Sequence, residues 1–148
     1  MLQGVRLEFL RAFKSQHSET CRHLTTEQIC YLLIKPQTAL HRCSYVSQLS
    51  KTEKNHYFGQ SSNWFVSHAW SSLFFPMIDA ILIYFEQRAD ADTAIIWIDV
   101  FCISQHTNPE SSVSPMWWIA FSKCIQQAGR MLWVMDSWNK PRPLRRSW

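Results

Sequence analysis

Residues 63–70 read Asn-Trp-Phe-Val-Ser-His-Ala-Trp, and they predict a buried strand that ends in polar groups. Trp64, Phe65 and Val66 favour β-structure, and none of them is charged. Ser67 and His68 follow at once, so the predicted strand ends at two side chains that can contact a ligand. We therefore predict a strand over Trp64–Ser67 at the centre of the fold.

A helix is predicted directly after this strand, because apolar residues recur at helical spacing from residue 73 to residue 85. Ser71 or Ser72 is a candidate cap for this helix, and Pro76 fits its first turn. A strand that runs into a helix, with polar residues at the corner, is typical of parallel sheets that bind ligands at their strand ends.

Two further apolar runs predict strands over Ala94–Asp99 and Arg130–Met135, and we expect residues 131–135 to be buried. A helix between them is predicted to begin at Pro115 and to end at Gly129. The predicted fold class is therefore α/β, with three parallel strands in the order 2-1-3 and helices on both faces of the sheet.

The first 60 residues are predicted to form a helical N-terminal extension, followed by an α/β domain over residues 61–148. Thr25 and Gln28 have the spacing of a capping box, and Pro36 is expected to end the helix that they begin. We predict the other two helices of this extension over Val5–Phe13 and Thr38–Leu49. These helices are expected to cover one face or one edge of the sheet.

Composition restricts the class of protein. The chain has 148 residues, 47% of them hydrophobic, which suits one domain with a real core. The net charge of +4 comes with both signs mixed along most of the chain, so we predict no nucleic-acid partner. The apolar window at 73–85 is too short for a membrane span. The five scattered cysteines indicate reduced thiols and a cytoplasmic location.

The predicted strand ends bring several polar side chains to one edge of the sheet. His68 is a candidate for ligand contact or proton transfer, or for capping a neighbouring loop. Trp138 can stack on a flat ring while Arg142 and Arg145 pair with phosphates; the alternative is a buried Trp138 with solvated arginines. The candidate ligand-binding residues are Ser67, His68, Trp70, Asp99, Asp136, Trp138 and Arg145.

The sequence gives less support to catalysis by cysteine, to a metal site or to a phosphate-binding loop. Cys102 is a candidate nucleophile with His68 or His106 as its base, but no local signature supports it. A zinc site is the second alternative, and its candidate ligands are Cys21, His23, Cys30, His41 and Cys43. Their spacings differ from those of paired Cys-x-x-Cys ligands, so we predict no metal. The three glycines form no phosphate-binding loop, so an ordinary nucleotide-binding motif is not expected.

Four segments together resemble a known pattern: Ile34-Lys35-Pro36 with Cys43-Ser44-Tyr45, residues 65–70, residues 97–106 and residues 138–148. The chain resembles, from about Thr25 to its end, the TIR-like (Toll/interleukin receptor-like) domains of multidomain proteins from algae, oomycetes and other protists. The resemblance implies a flavodoxin-like sheet and signalling by association with itself or with other TIR-like domains. The resemblance also implies cleavage of NAD, an activity of some TIR domains. By position, Ser67, His68, Trp70, Asp136 and Trp138 would border the nucleotide pocket.

The chain departs from the family at its end. The helix that carries the expected catalytic glutamate would follow Trp148, and the last two strands are absent, so we expect a truncated domain with one unprotected sheet edge. We therefore predict an interaction module that is catalytically incomplete and requires no cofactor, with NAD as its candidate ligand. The alternatives are an NAD+ nucleosidase and a structural self-assembly domain.

Overall fold

A computed structural model describes residues 2–52, 54–106 and 115–136, without the side chains of residues 115–118 and 120. Its strands are β1 Gly4–Val5, β2 Phe58–Gly59, β3 Trp64–Ser67, β4 Ile96–Ile98 and β5 Met131–Trp133. Its α-helices are α1 Leu7–Cys21, α2 Thr26–Ile29, α3 Lys35–Thr38, α4 Tyr45–Ser50, α5 Phe74–Phe85, α6 Asp99–Cys102 and α7 Pro115–Ala128. A π-helical turn, Cys30–Ile34, joins α2 to α3, and a 3-10 turn, Ala91–Thr93, precedes β4.

The described strands form one mixed sheet in the order β2-β1-β4-β3-β5. β3 lies between β4 and β5 and pairs with both in parallel, while β1 pairs in antiparallel fashion with β2 and β4. The sheet differs from the predicted three-stranded parallel sheet, because two short segments of the first 60 residues add β1 and β2. The sequence predicts no strand at residues 4–5 and places Val5 in a helix, whereas both residues form β1.

The main core lies on the face of the sheet that carries Val66, Ile96 and Ile98, where α1 and α5 pack. The opposite face carries Phe65 and Trp97, whose rings stack with centroids 4.7 Å apart, and α7 covers them with Phe121 and Ala128. Successive side chains of a strand point to opposite faces, which explains why β3 contributes to both cores. Helices therefore lie on both faces of the sheet.

The helices of the first half differ from their predicted bounds. Thr25 does cap α2 with the predicted capping box, but the helical segment continues past Pro36 to Thr38 through the π-helical turn. Pro36 lies at the start of α3, two residues after the π-helical turn. Ser44 caps α4, so the helix predicted from Thr38 begins only at Tyr45. α1 runs to Cys21, well beyond the predicted end at Phe13.

The helix after β3 begins at Phe74, and Leu73 is its N-cap residue without a side-chain hydrogen bond. The prediction that Ser71 or Ser72 caps it is therefore wrong. The reason is that the start of α5 is held by the backbone instead: Phe74 N–H donates to the Leu24 carbonyl at 3.0 Å.

β4 and β5 are shorter than predicted. β4 ends at Ile98 because Asp99 opens α6, where its carbonyl accepts from Ile103 N–H at 3.0 Å. The expected burial of residues 131–135 is wrong: Met131, Trp133 and Met135 are 37%, 50% and 44% exposed. They are exposed because β5 is the last strand of the described sheet and has β3 as its only described neighbour.

The helices of the described residues include none that is both long and apolar enough to cross a membrane.

Candidate functional site

A cavity of about 450 Å³ opens where β3 and β5 end. His68 directly follows β3, Asp136 lies three residues beyond β5, and the first turns of α5 supply most of the remaining wall. The described lining residues are His68, Ala69, Ser71, Ser72, Leu73, Pro76, Met77, Ala80, Val134, Met135 and Asp136. The carboxyl ends of parallel strands are where open α/β sheets bind their ligands.

His68 lines this cavity, although its side chain is buried and the residue is only 4% exposed. The register that pairs Val66 with Ile98 brings the residues after both strands together. As a result, His68 Nδ1 lies 3.9 Å from Asp99 Oδ1. This separation lies within ion-pair range but is longer than a hydrogen bond.

Asp99 is held by two donors. Trp70 Nε1–H donates to its Oδ2 at 2.7 Å, and the Val100 backbone N–H donates to its Oδ1 at 2.8 Å. Gln105 Nε2–H also donates to the Asp99 carbonyl at 3.1 Å, which fixes the backbone at the same point. The carboxylate is thereby fixed beside His68.

The other polar side of the cavity is formed by Ser72 and Asp136. The Ser72 hydroxyl donates to Asp136 Oδ2 at 3.0 Å, and this contact joins the β3–α5 loop to the chain beyond β5. The Val134 N–H donates to the Ser67 carbonyl at 3.0 Å, which continues the β3–β5 pairing up to the cavity. Asp136 is itself exposed and reachable from solvent.

The cavity thus combines an apolar wall with two separated polar groups. Leu73, Pro76 and Met77 offer surface for a flat or apolar group, while His68 and Asp136 bring polar side chains to the lining. Its volume falls within the range of pockets that bind small molecules and cofactors. Chemically, the arrangement can orient a small ligand.

The predicted site residues fall into three groups. His68 and Asp136 line the cavity. Trp70 and Asp99 lie behind His68 and bond to each other, so they support the site without forming its described wall. Ser67 is 8% exposed and is not among the described lining residues. Trp138, Arg142 and Arg145 lie outside the described residues.

Sequence reasoning missed the contribution of α5 to the cavity. Pro76 and Ala80 are four residues apart, as are Leu73 and Met77, so the helical spacing places each pair on one side of the helix. In the sequence the same region predicts only the helix itself and assigns no ligand-facing role to these residues. A helix that starts beside a polar strand end is the signal that identifies its first two turns as ligand-facing.

The structure argues against Cys102 as a nucleophile. Burial raises the pKa of the Cys102 thiol to about 12, and the nearby Asp99 carboxylate acts in the same direction. Nucleophilic cysteines instead need a lowered pKa. His106, the second candidate base, places Nε2 2.8 Å from the Thr38 hydroxyl.

The cysteines and histidines of the zinc reading form no ligand set in the structure. No group of three or more His, Cys, Asp or Glu side chains that could hold a metal occurs within the described ranges. Burial raises the pKa of Cys30 to about 11, which disfavours the thiolate that a metal requires.

Comparison with known proteins adds no family assignment, because no family model, no curated protein and no solved structure matches this chain.

Proposed function

We propose that this chain is a TIR-like interaction module of the cytoplasm whose cavity binds a dinucleotide such as NAD. The observation that carries the proposal is the meeting of His68 and Asp136 on one cavity at the carboxyl ends of β3 and β5. Two polar groups separated by an apolar wall suit a ligand that has a flat ring and polar substituents.

The arrangement of helices supports this location for a ligand. α5 follows β3 and packs on the main-core face, whereas α7 precedes β5 and covers the opposite face. Connections that diverge to opposite faces leave a crevice at the strand ends between them. A flavodoxin-like topology with the order 2-1-3 for β3, β4 and β5 is the interpretation that we favour for this part of the sheet.

The cytoplasmic location is supported by the state of the cysteines. All five are free thiols, although Cys102 and Cys124 both contact the smaller core beside α7. Free thiols persist in reducing compartments.

We propose binding without efficient cleavage of NAD. The carboxylates near the cavity are Asp99 and Asp136: Asp99 is engaged by Trp70 and Val100, and Asp136 accepts from Ser72. Asp99 opens α6 directly after β4 and Asp136 follows β5, so neither stands where the resemblance implies the glutamate, in a helix after Trp148.

Calorimetric titration with NAD tests the proposal. We expect saturable binding that weakens at least about tenfold, the loss of one good hydrogen bond, in His68→Ala and in Asp136→Ala. The matched controls are His41→Ala and Asp92→Asn, which change exposed residues outside the lining and should bind as the native chain does. Absence of binding at millimolar NAD would overturn the proposal.

Chromatography of the same mixtures separates binding from cleavage. We expect NAD to remain intact during incubation with the native chain. Release of nicotinamide that is lost in His68→Ala or Asp136→Ala would instead establish the enzyme. Release that survives both substitutions would reject the site.

A self-assembly function is the second candidate, and the exposed side of β5 favours it. Met131, Trp133 and Met135 are partly exposed along the edge of the described sheet, and none of them is charged. Strand edges of this kind pair readily with other chains. Trp133 is half exposed and contributes the largest apolar surface of the three.

Light scattering over a dilution series tests this candidate. We expect the native chain to associate with increasing concentration and Trp133→Lys to remain monomeric, because a charged edge residue opposes strand pairing. Ile83→Lys is the matched control, since Ile83 is 69% exposed on α5. Equal association of both variants would show that the β5 edge is not the interface.

A further inference from the structure

The residues along β5 are arranged symmetrically about Trp133. Residues 130–136 read Arg-Met-Leu-Trp-Val-Met-Asp, so a methionine stands two residues to either side of Trp133, and charges of opposite sign stand three residues to either side. Reversing the direction of the strand therefore exchanges Arg130 with Asp136 and Met131 with Met135. A strand with this arrangement is complementary to a second copy of itself.

The backbone of β5 presents its outward hydrogen-bonding groups at the residues that are also exposed. The Arg130 carbonyl and the Val134 N–H both bond to β3, at 2.8 Å and 3.0 Å. The backbone groups of successive residues alternate between the two sides of a strand. The N–H and C=O groups of Met131 and Trp133 therefore point away from β3, toward the side where the described sheet has no further strand.

We propose that the partner of this edge is a second copy of the chain, paired with it in antiparallel fashion about a two-fold axis at Trp133. In this register each Met131 lies opposite Met135 of the other copy, and each Arg130 lies opposite Asp136 of the other copy. The inference rests on the self-assembly candidate above, to which it adds the partner, the strand direction and the register.

The positions of Arg130 and Asp136 allow both ion pairs of this dimer to form. The Arg130 guanidinium lies over the ring of Trp64, 5.2 Å from its centroid, and Trp64 belongs to the main core. Asp136 bonds to Ser72 in the loop before α5, the helix that packs on the same face of the sheet. Arg130 is 53% exposed and binds Asp90 through Nη1, which leaves further donors of the guanidinium for a second carboxylate.

Charge favours this register over others that the same edge allows. A parallel pairing in register would place Arg130 beside Arg130 and Asp136 beside Asp136 of the other copy, and like charges side by side destabilise a sheet. An antiparallel pairing centred on Leu132 or Val134 would leave both charged residues opposite uncharged ones. The two-fold arrangement also closes into a dimer. Because Asp136 lines the cavity, the dimer brings Arg130 of the second copy beside it.

Charge reversal at the two positions tests the register. Arg130→Asp and Asp136→Arg each place like charges in both cross-strand pairs of a homodimer. We therefore expect each folded variant alone to associate at least about tenfold more weakly than the native chain in light scattering. An equimolar mixture of the two should recover association, because both pairs of the mixed dimer again join opposite charges. Folded variants that stay monomeric when mixed, or that associate alone as the native chain does, would overturn the proposal.

Glu86→Arg is the matched control for these reversals, because Glu86 is exposed and lies outside β5. We expect this variant to associate as the native chain does. It should not recover the association of Arg130→Asp when the two are mixed. Recovery in that mixture would attribute the effect to net charge and would count against the register.

Oxidative cross-linking tests the register without altering any charge. Trp133→Cys places a thiol on the two-fold axis, where the separation of about 5.5 Å between opposite Cα atoms suits a disulfide. Met131→Cys is the control, because its two copies would lie four residues apart along the pair, about 13 Å, which no disulfide spans. We expect mild oxidation to link two copies through residue 133 and not through residue 131, as located by mass spectrometry. Absence of the link through residue 133, or equal linkage at both positions, would overturn the register.

These measurements distinguish the inference from the self-assembly candidate on which it rests. If Trp133→Lys prevents association while the mixed charge variants stay monomeric and residue 133 forms no link, the edge associates in another register and only this inference is wrong. If the native chain stays monomeric throughout the dilution series, both are wrong.

Discussion

Thr25 shows how a single side chain positions part of the candidate site. Its hydroxyl accepts from Gln28 N–H at 3.3 Å, and the Gln28 side chain accepts from Thr25 N–H at 2.9 Å. The next two amides of the helix, those of Thr26 and Glu27, donate to the carbonyls of Ser72 and Trp70. All of these donors would otherwise lack a partner at the start of the helix. The cap therefore fixes α2 against the loop that borders the cavity.

We expect Thr25→Ala to reduce the free energy of unfolding by about 1 kcal/mol, the usual cost of losing an N-cap side chain. Urea denaturation measures the effect. Thr20→Ala is the control, because Thr20 is exposed near the end of α1 and should change stability much less. Equal losses in the two variants would mean that the capping box does not stabilise the fold.

At the scale of elements, β1 depends on the absence of a side chain. A Cβ atom on Gly4 would lie 2.7 Å from the Ile96 carbonyl oxygen and would also collide with Ser62. The close approach of β1 to β4 therefore requires glycine at this position. Gly129 has a different reason to be glycine, because its φ of 70° is strained for other residues while the space around it is open.

Alanine substitution at the two glycines separates these causes. We expect Gly4→Ala to destabilise the protein by roughly 1–3 kcal/mol, since backbone must move to accept the new atom. Gly129→Ala should cost about 1 kcal/mol from strain alone, and Gly129→Asn less, because asparagine tolerates this conformation. Chemical denaturation of the three variants ranks their free energies of unfolding. A larger loss of stability in Gly129→Ala than in Gly4→Ala would contradict the importance of crowding at Gly4.

The success of the sequence reading also varies by element. β3 was predicted with its observed bounds, because Trp64, Phe65 and Val66 form an uncharged run that few other structures accommodate. β1 and β2 were missed because two residues are too few to show alternation. The π-helical turn before Pro36 was missed because its widened backbone carries no compositional signal.

Within the candidate site, only features that follow from a single strand could be predicted from the sequence. The polar groups at the ends of β3 and β5 follow from strand direction, so His68 and Asp136 could be named in advance. The contact of Asp99 with Trp70 and His68 requires the register of β3 on β4. Register is a tertiary property, and the pattern of one strand alone does not define it.

At the scale of the whole molecule, buried thiols tie stability to pH. Burial raises the pKa of Cys30 to about 11 and that of Cys102 to about 12, above the value of 9.0 for an ordinary thiol. The folded chain therefore holds these protons more tightly than the unfolded chain does. This contribution to stability is complete below about pH 9 and is lost as the pH rises toward 11 and 12.

We expect the free energy of unfolding to fall as the pH rises from 9, with a slope that approaches about 1.4 kcal/mol per pH unit for each thiol. Urea denaturation between pH 8 and about 10.5 measures the slope. Replacing Cys30 and Cys102 by Ala should flatten it, whatever the substitutions do to absolute stability. An equally steep slope in the double variant would assign the pH dependence to other groups.

The position of β1 has a consequence for synthesis on the ribosome. Val5 pairs with Phe58 on one side and with Ile96 on the other, so the second residue of the first strand lies inside the finished sheet. A nascent chain cannot make that second pairing until β4 has left the exit tunnel. The first strand therefore waits through the translation of all intervening elements, and closure of the sheet is a late event in the life of each new chain.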